Sequence, residues 1–283
     1  MTRRKRRVRG LRLILLLTLT LLVVLVVWAF WWEPRQLHVR HEQLQIPGWT
    51  QPLRIAVLTD LHTGSPHNEP SKLSRIIDVT NAAQPDLIVL LGDFVIQGVL
   101  GGNFVGPEEI ADSLRRLHAP LGVHAVLGNH DWWLDAPRVR AALRRAGITV
   151  LEDSALALHA NNTHFWLGGV SDMWEGQHDV AATLRWVTDS AAVLLITHNP
   201  DIFPDVPARV ALTIAGHTHG GQVKLPFIGA PVVPSRYGQR FAAGHIVEQD
   251  RHLFVATGTG TSILPVRFRV PPAVVVLSLG PSR

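Results

Sequence analysis

Three times in its first half the chain repeats one pattern, and that pattern limits the available folds more than any other feature. An apolar run suited to a buried strand ends in metal-competent side chains and then gives way to helical spacing. Residues 53–58 lead into Thr59-Asp60-Leu61-His62, and Leu73, Ile76, Ile77 and Val79 then mark a helix over 70–83 opened by Pro70. Residues 86–91 lead into Gly92-Asp93, with a helix over 107–117. Residues 123–127 lead into Gly128-Asn129-His130-Asp131, with a helix over 137–146. Alternation of this kind predicts α/β units with functional loops at the carboxyl ends of their strands.

The second half predicts short strands over 148–151, 156–159 and 165–170 and a helix over 178–188. A strand over 193–196 ends at Thr197-His198-Asn199-Pro200, and one over 211–215 runs into Gly216-His217-Thr218-His219-Gly220-Gly221. Side chains at i and i+2 of a strand share a face, and glycine-permitted φ values let the loop then curl so that each ring is aimed separately. Taken alone, His-x-His is equally a polar turn with two hydrated rings. Further strands are predicted over 241–248, 253–256 and 273–279, and alternation at Leu37, Val39, Leu44 and Ile46 marks an edge strand. No repeat or low-complexity linker interrupts residues 37–283, so one two-sheet catalytic domain is the economical reading.

Hydrophobic residues make up 47% of the chain, and the excess is concentrated at the amino terminus. Residues 13–32 carry no charge, span roughly 30 Å as a helix, and end in Trp28, Trp31 and Trp32, residue types favoured at a membrane interface. Ahead of them lie Arg3, Arg4, Lys5, Arg6, Arg7, Arg9 and Arg12. Setting these seven aside from 27 basic residues leaves 20 against 22 acidic ones, so the body is slightly acidic and no nucleic-acid partner is expected.

The organisation expected is a basic cytoplasmic tail (1–12), a single-pass anchor in the cell membrane (13–32) and an extracytoplasmic catalytic domain (37–283). A cleaved signal peptide is the rival. The apolar region exceeds the usual 7–15 residues and Trp31-Trp32-Glu33-Pro34 offers no small-x-small cleavage site, so a retained anchor is preferred. Arg3-Arg4 raises a twin-arginine signal that its basic surroundings fit poorly. With no cysteine there is neither a disulfide framework nor a thiolate metal site.

Collected from the strand ends, the chemistry-bearing residues are Asp60, His62, Asp93, Asn129, His130, Asp131, His198, His217 and His219. Asp-x-His and Gly-Asp are common in loops when taken singly. All five motifs in this order, each behind an apolar run, make coincidence a poor account. Here the sequence resembles the calcineurin-like metallophosphoesterase superfamily, whose order is Asp-x-His, Gly-Asp, Gly-Asn-His-(Asp/Glu), His, then Gly-His-x-His. The stretches after the last motif, through Pro234-Ser235-Arg236-Tyr237-Gly238 and residues 260–267, look like its bacterial membrane-associated phosphodiesterase branch.

The resemblance implies a four-layer α/β/β/α sandwich and two divalent metal ions. Asp60, His62, Asp93 and His219 would hold one ion, with Asp93, Asn129, His198 and His217 on the other and Asp93 bridging. Oxygen and imidazole ligands suit Mn, Fe or Zn better than calcium. A hydroxide bridging the metals would attack phosphorus. His130 would stabilise the transition state or protonate the leaving oxygen, with Asp131 orienting its ring, although His130 also reads as a purely structural neighbour of a ligand. Phe94-Val95-Ile96-Gln97 stands where relatives often carry an acid or arginine, and Pro272-Ala273 where the branch often has Pro-Glu.

The activity expected is hydrolysis of a phosphodiester, phosphomonoester or pyrophosphate bond, with lipid-linked substrates favoured by an anchored site. Cleavage of a UDP-diacylglucosamine pyrophosphate is one alternative, but it needs a cytoplasmic site, opposite to the charge-based topology. A non-catalytic platform would have lost ligands, and none is missing. A metal-dependent peptidase is disfavoured by the absence of His-Glu-x-x-His. For Trp132 and Trp133 core packing is the default, for Asp172 and Trp174 a plain turn, and for Arg236 and Tyr237 loop anchoring is set against phosphate contact. The sequence leaves the oligomeric state open.

Overall fold

In the computed structural model, which describes residues 3–160 and 163–281, two six-stranded sheets pack face to face. One carries β1 (His38–Ile46), β2 (Leu53–Leu58), β3 (Leu87–Leu90), β4 (Val123–Ala125), β5 (Thr149–Val150) and β12 (Ala273–Pro281) in the order β1-β12-β2-β3-β4-β5. The other carries β6 (Ser154–Ala160), β7 (Thr163–Gly169), β8 (Val193–Ile196), β9 (Val210–Ala215), β10 (Gly244–Glu248) and β11 (Arg251–Val255) in the order β10-β11-β9-β8-β7-β6. Strands β2 through β5 run parallel, as do β7, β8, β9 and β11. Their carboxyl ends therefore gather the loops that carry the motifs.

Parallel strands covered on both sides read as continuous apolar runs. Ile55, Val57, Val89 and Leu277 of the first sheet meet Leu167, Leu194, Leu212 and Ile214 of the second in a central core. Outside the first sheet lie α2 (Pro70–Ala82), α3 (Pro107–Leu114) and α4 (Asn129–Arg145), which bury Leu73, Ile76, Ile110, Leu114, Val139 and Leu143 against it. Outside the second, α5 (Val180–Leu184) and a 3₁₀ segment, Pro200–Asp205, cover Val193, Leu195 and Val255. The layering is α/β/β/α.

Several elements differ from their expected extents. The helix expected over 137–146 begins at Asn129, because the Asp131 carboxylate accepts the Gly128 N–H at 3.0 Å and so caps the first turn. It breaks at Asp135, whose carboxylate starts a second turn by accepting the Arg138 N–H at 3.0 Å. The helix expected over 178–188 shrinks to α5, capped by Asp179. The strand expected from 241 starts at Gly244, behind a 3₁₀ turn at Gly238–Phe241.

At the amino terminus α1 (Arg3–Val27) continues through a π-helical turn, Trp28–Trp32. It forms the one helix among the described residues that is long and apolar enough to cross a membrane. Met1 and Thr2 of the expected basic tail lie outside the described residues.

The end of α1 is fastened to the body. Arg267 N–H donates to Ala29 O at 2.9 Å, and Lys72 Nζ donates to Pro34 O at 2.7 Å. Buried Glu33 accepts Val270 N–H and Trp28 Nε1–H, both at 2.6 Å. Strand β1 then pairs along its whole length with β12.

Candidate metal centre

Asp60 and His62 follow β2, Asp93 follows β3 and Asn129 follows β4; His198 follows β8, and His217 and His219 follow β9. All seven are buried. Asp60, His62 and His219 form one group, and Asp93, His198 and His217 another. His62 Nε2 and His219 Nε2 are 3.2 Å apart, and His219 Nε2 lies 3.4 Å from Asp60 Oδ1. His198 Nε2 lies 3.1 Å from His217 Nδ1 and 3.2 Å from Asn129 Oδ1. Asp93 Oδ2 joins the groups, 3.4 Å from His62 Nε2 and 3.3 Å from His198 Nε2.

This donor set fits a pair of cations. His198 Nδ1 sits 2.6 Å from Leu91 O, which only accepts, so Nδ1 carries a proton and Nε2 is the atom turned toward Asp93, Asn129 and His217, where a metal ion would replace the ring's second proton. Asp60 Oδ1 is buried without a hydrogen-bond partner, and crowded lone pairs of this kind call for positive charge among them.

The electrostatics agree. Burial would raise Asp93, but His198, His130 and His62 outweigh it and hold the carboxyl well below its ordinary range. Burial likewise disfavours a charged His198, yet Asp93 and Asp60 push that ring up to about 10. The potential there draws a cation. Burial lowers His62 and His217 to about 3, which keeps their lone pairs free at neutral pH.

Five of the seven residues hold left-handed backbone: Asp60 (φ 50°), His62 (38°), Asp93 (54°), His217 (69°) and His219 (50°). Such conformations cost energy in non-glycine residues and persist where the surroundings over-determine them. Close approach of neighbouring loops does this here. A Cβ on Gly216 would lie 2.0 Å from Thr59 Oγ1, and one on Gly128 would lie 2.3 Å from Asp93 Oδ1.

His130 borders the centre, its ring edge-on to His62 at 4.8 Å and against Trp133 at 4.9 Å. Burial lowers its pKa. Asp131 does not orient that ring as expected. Its oxygens accept the backbone N–H groups of Asp93 at 2.8 Å, Phe94 at 2.9 Å and Gly128 at 3.0 Å, so it fixes the loop that carries Asp93. This also answers the missing acid or arginine after Gly-Asp, since Asp131 supports that loop from the neighbouring strand end.

Above the centre opens a cleft of about 540 Å³ with Asp93, Asn129, His130, His217 and His219 on its floor and Trp133, Trp174, Val232 and Ile263 along its walls. Trp133 and Trp174 stack with ring centroids 6.1 Å apart, while Trp132 packs in the core. The tryptophan pair thus divides between packing and cleft, and Trp174 reaches the cleft despite the plain-turn reading. Arg236 anchors its loop by donating to Asp201 O at 3.0 Å.

Arg267, which the sequence marks only as the end of the stretch resembling the membrane-associated branch, lies at the centre. It is wholly buried and donates to Gly260 O, Val270 O and Thr257 O, with Nη2 3.4 Å from His219 Nδ1. Burial lowers it to about 10.

A two-sheet sandwich with these carboxylates and imidazoles at one end of its strands defines a metal-dependent phosphoester hydrolase. Residues 53–221 match the model of the calcineurin-like phosphoesterases, and the chain belongs to that family, whose members use divalent metal ions. It is 30% identical to the metallophosphoesterase YkuE of Bacillus subtilis, over 89% of this chain and 88% of that one. It is 32% identical to the phosphodiesterase YaeI of Escherichia coli, over 85% and 87%. A Danio rerio transmembrane protein with a metallophosphoesterase domain is 28% identical over 83% of this chain and 54% of its own length.

Proposed function

We propose that residues 37–283 form the catalytic domain of a binuclear phosphoesterase held at the cell membrane by residues 13–32, cleaving a phosphate ester or anhydride. The observation that carries this reading is Asp93, whose single oxygen Oδ2 faces both imidazole groups at 3.4 and 3.3 Å. A shared carboxylate is what two neighbouring cations need to offset their repulsion. Asp60, His62 and His219 would hold one ion, and Asn129, His198 and His217 the other.

When bound, Mn, Fe or Zn ions supply a nucleophile from water at neutral pH and offset charge on the phosphoryl oxygens. The chain's own residues position and stabilise. His130, kept neutral by its depressed pKa, offers a ring N–H to a phosphoryl oxygen more readily than it offers a proton as an acid at neutral pH. Asp131 fixes the bridging loop through the Asp93 and Phe94 amides. Trp133 and Trp174 give the cleft a wall suited to the apolar part of an ester, in keeping with a lipid-linked substrate at the interface.

The anchor reading rests on the length and apolarity of α1 and on the similarity to the Danio rerio transmembrane protein. The basic residues ahead of α1 favour a catalytic domain outside the cytoplasm. Asp93→Ala or His217→Ala should abolish metal-dependent hydrolysis of an aryl phosphodiester in a folded protein, and undiminished turnover would refute the assignment.

A further inference from the structure

The exposed apolar side chains outside α1 and its π-helical turn concentrate around the cleft and the foot of the anchor. Ile263 (72% exposed), Val232 (75%) and Leu100 (66%) lie on loops at the cleft, joined by Leu264 and by Phe227 and Ile228 on the neighbouring turn. None of residues 94–107, 225–235 and 253–266, which hold these side chains, is acidic, basic or histidine. An ordinary soluble surface intersperses charges at that density of residues.

Hydrogen bonds tie segment 94–107 to 253–266, and residues 222–224, which lead into 225–235, to 253–266 and to the stretch fastened to the anchor. Leu100 N–H donates to Ile263 O at 3.0 Å. The Gln222 side chain exchanges bonds with Ser262, donating to its O at 3.1 Å and accepting its N–H at 2.7 Å. Phe268 N–H donates to Gln222 O, and Lys224 N–H to Phe268 O, both at 2.9 Å. The next residue back, Arg267, donates its N–H to Ala29 O at the end of the membrane segment. The charge-free loops thus start where the apolar helix stops.

Resting on the reading that α1 spans a bilayer, we infer that Leu100, Phe227, Ile228, Val232, Ile263 and Leu264 form a rim that sits in the lipid surface, so that the cleft opens along the bilayer interface. Three features favour lipid as the occupant. The rim is continuous with the anchor, its loops lack charge, and Trp28, Trp31 and Trp32 sit at the same foot, where interfacial aromatics belong. Glu33 and Lys72 hold the foot, so contact by the rim needs no large swing of the domain.

The absence of native cysteine makes the test direct. The single variants Phe227→Cys, Ile263→Cys and Leu264→Cys, with Val24→Cys within α1 and Trp186→Cys beside α5, are labelled with a small fluorophore in the full-length chain. Each is reconstituted in phosphatidylethanolamine–phosphatidylglycerol vesicles doped with chain-brominated phosphatidylcholine. Rim labels and the Val24 label should lose roughly half their emission, the depth of an interfacial residue being within reach of the bromines, while the Trp186 label stays bright. A quenched Val24 label beside bright rim labels would overturn the rim and spare the anchor. Bright rim labels, together with unlabelled rim cysteines that oxidise to a disulfide between two copies, would assign the surface to a dimer and overturn the lipid contact. An unquenched Val24 label would sink the anchor reading and the rim with it, leaving the hydrolase untouched.

Discussion

The Asp131 carboxylate accepts the backbone N–H of Asp93 at 2.8 Å, so a residue read as the partner of a histidine ring instead supports the backbone of the bridging carboxylate. Asp131→Asn replaces an acceptor-only group with one whose amide opposes the N–H groups of Asp93, Phe94 and Gly128. Outer supports of metal ligands are typically worth ten- to a hundredfold in affinity or activity. Calorimetric titration of the metal-free variant should show binding weakened by about that factor.

Gly128 tests the close approach of two strand ends. Its Cβ would fall 2.3 Å from Asp93 Oδ1 and 2.7 Å from Asp93 N, distances no packing tolerates. Gly128→Ala should fold, since the sheets lie away from this contact, yet purify with well under its full complement of metal. Elemental analysis checks the ion count, and full occupancy would show that the loop yields at little cost.

How much of this could be read beforehand follows from how local each cue is. The strands over 53–58 and 193–196 were legible to the residue, because a strand buried on both faces is nearly all apolar, with Arg54 the one exposed exception. The seven candidate ligands were legible because each stands directly behind such a run. The start of α4 was not. Its cap is the carboxylate of Asp131 acting on Gly128, and Gly-Asn-His-Asp reads equally as a loop. Left-handed backbone at Asp60, His62, Asp93, His217 and His219 was also hidden, since it belongs to loops packed closely together in the fold. Trp174 reaches His217, with ring centroids 4.6 Å apart, and Arg267 reaches His219 from 48 residues away, contacts made only by the tertiary fold.

Trp174 should act on binding more than on chemistry. It forms the cleft wall with Trp133 and touches the edge of His217 without offering a ligand atom. Trp174→Ala should raise KM for an aryl phosphodiester by about tenfold, equivalent to ~1.4 kcal/mol of lost stacking, while kcat changes much less. Steady-state kinetics separates the two constants, and a fall confined to kcat would reassign the residue to the chemistry.

Lys72 makes stability depend on pH with a definite sign. Burial, and after it the Arg267 guanidinium, lowers its ammonium to about 7, against about 10.4 for an unfolded lysine. Between these values the unfolded chain holds a proton that the folded chain has released. Stability from this group therefore rises with pH over that window, and is lowest below pH 7, where the folded state carries a buried cation. The slope is about 1.4 kcal/mol per pH unit. Lys72→Met should flatten it, as read from thermal denaturation of the full chain in detergent at a series of pH values.

Glu33 offers the sharpest test of how firmly the anchor is joined to the body. It is 4% exposed and takes two donors at 2.6 Å, Val270 N–H from the segment that also carries Arg267, and Trp28 Nε1–H from the end of the apolar helix. Glu33→Ala strands both donors in a buried place, at a cost of about 1–3 kcal/mol each. It also removes one of the two acids whose charge favours the buried Arg267 guanidinium. The sheets do not depend on this contact, because β1 remains paired with β12 through nine residues. The expected result is therefore local: faster amide exchange at 28–37 and 266–271, earlier protease cleavage between anchor and domain, and activity on a soluble aryl phosphodiester retained. Exchange unchanged at those segments would mean that the Ala29–Arg267 and Pro34–Lys72 bonds hold the joint without Glu33.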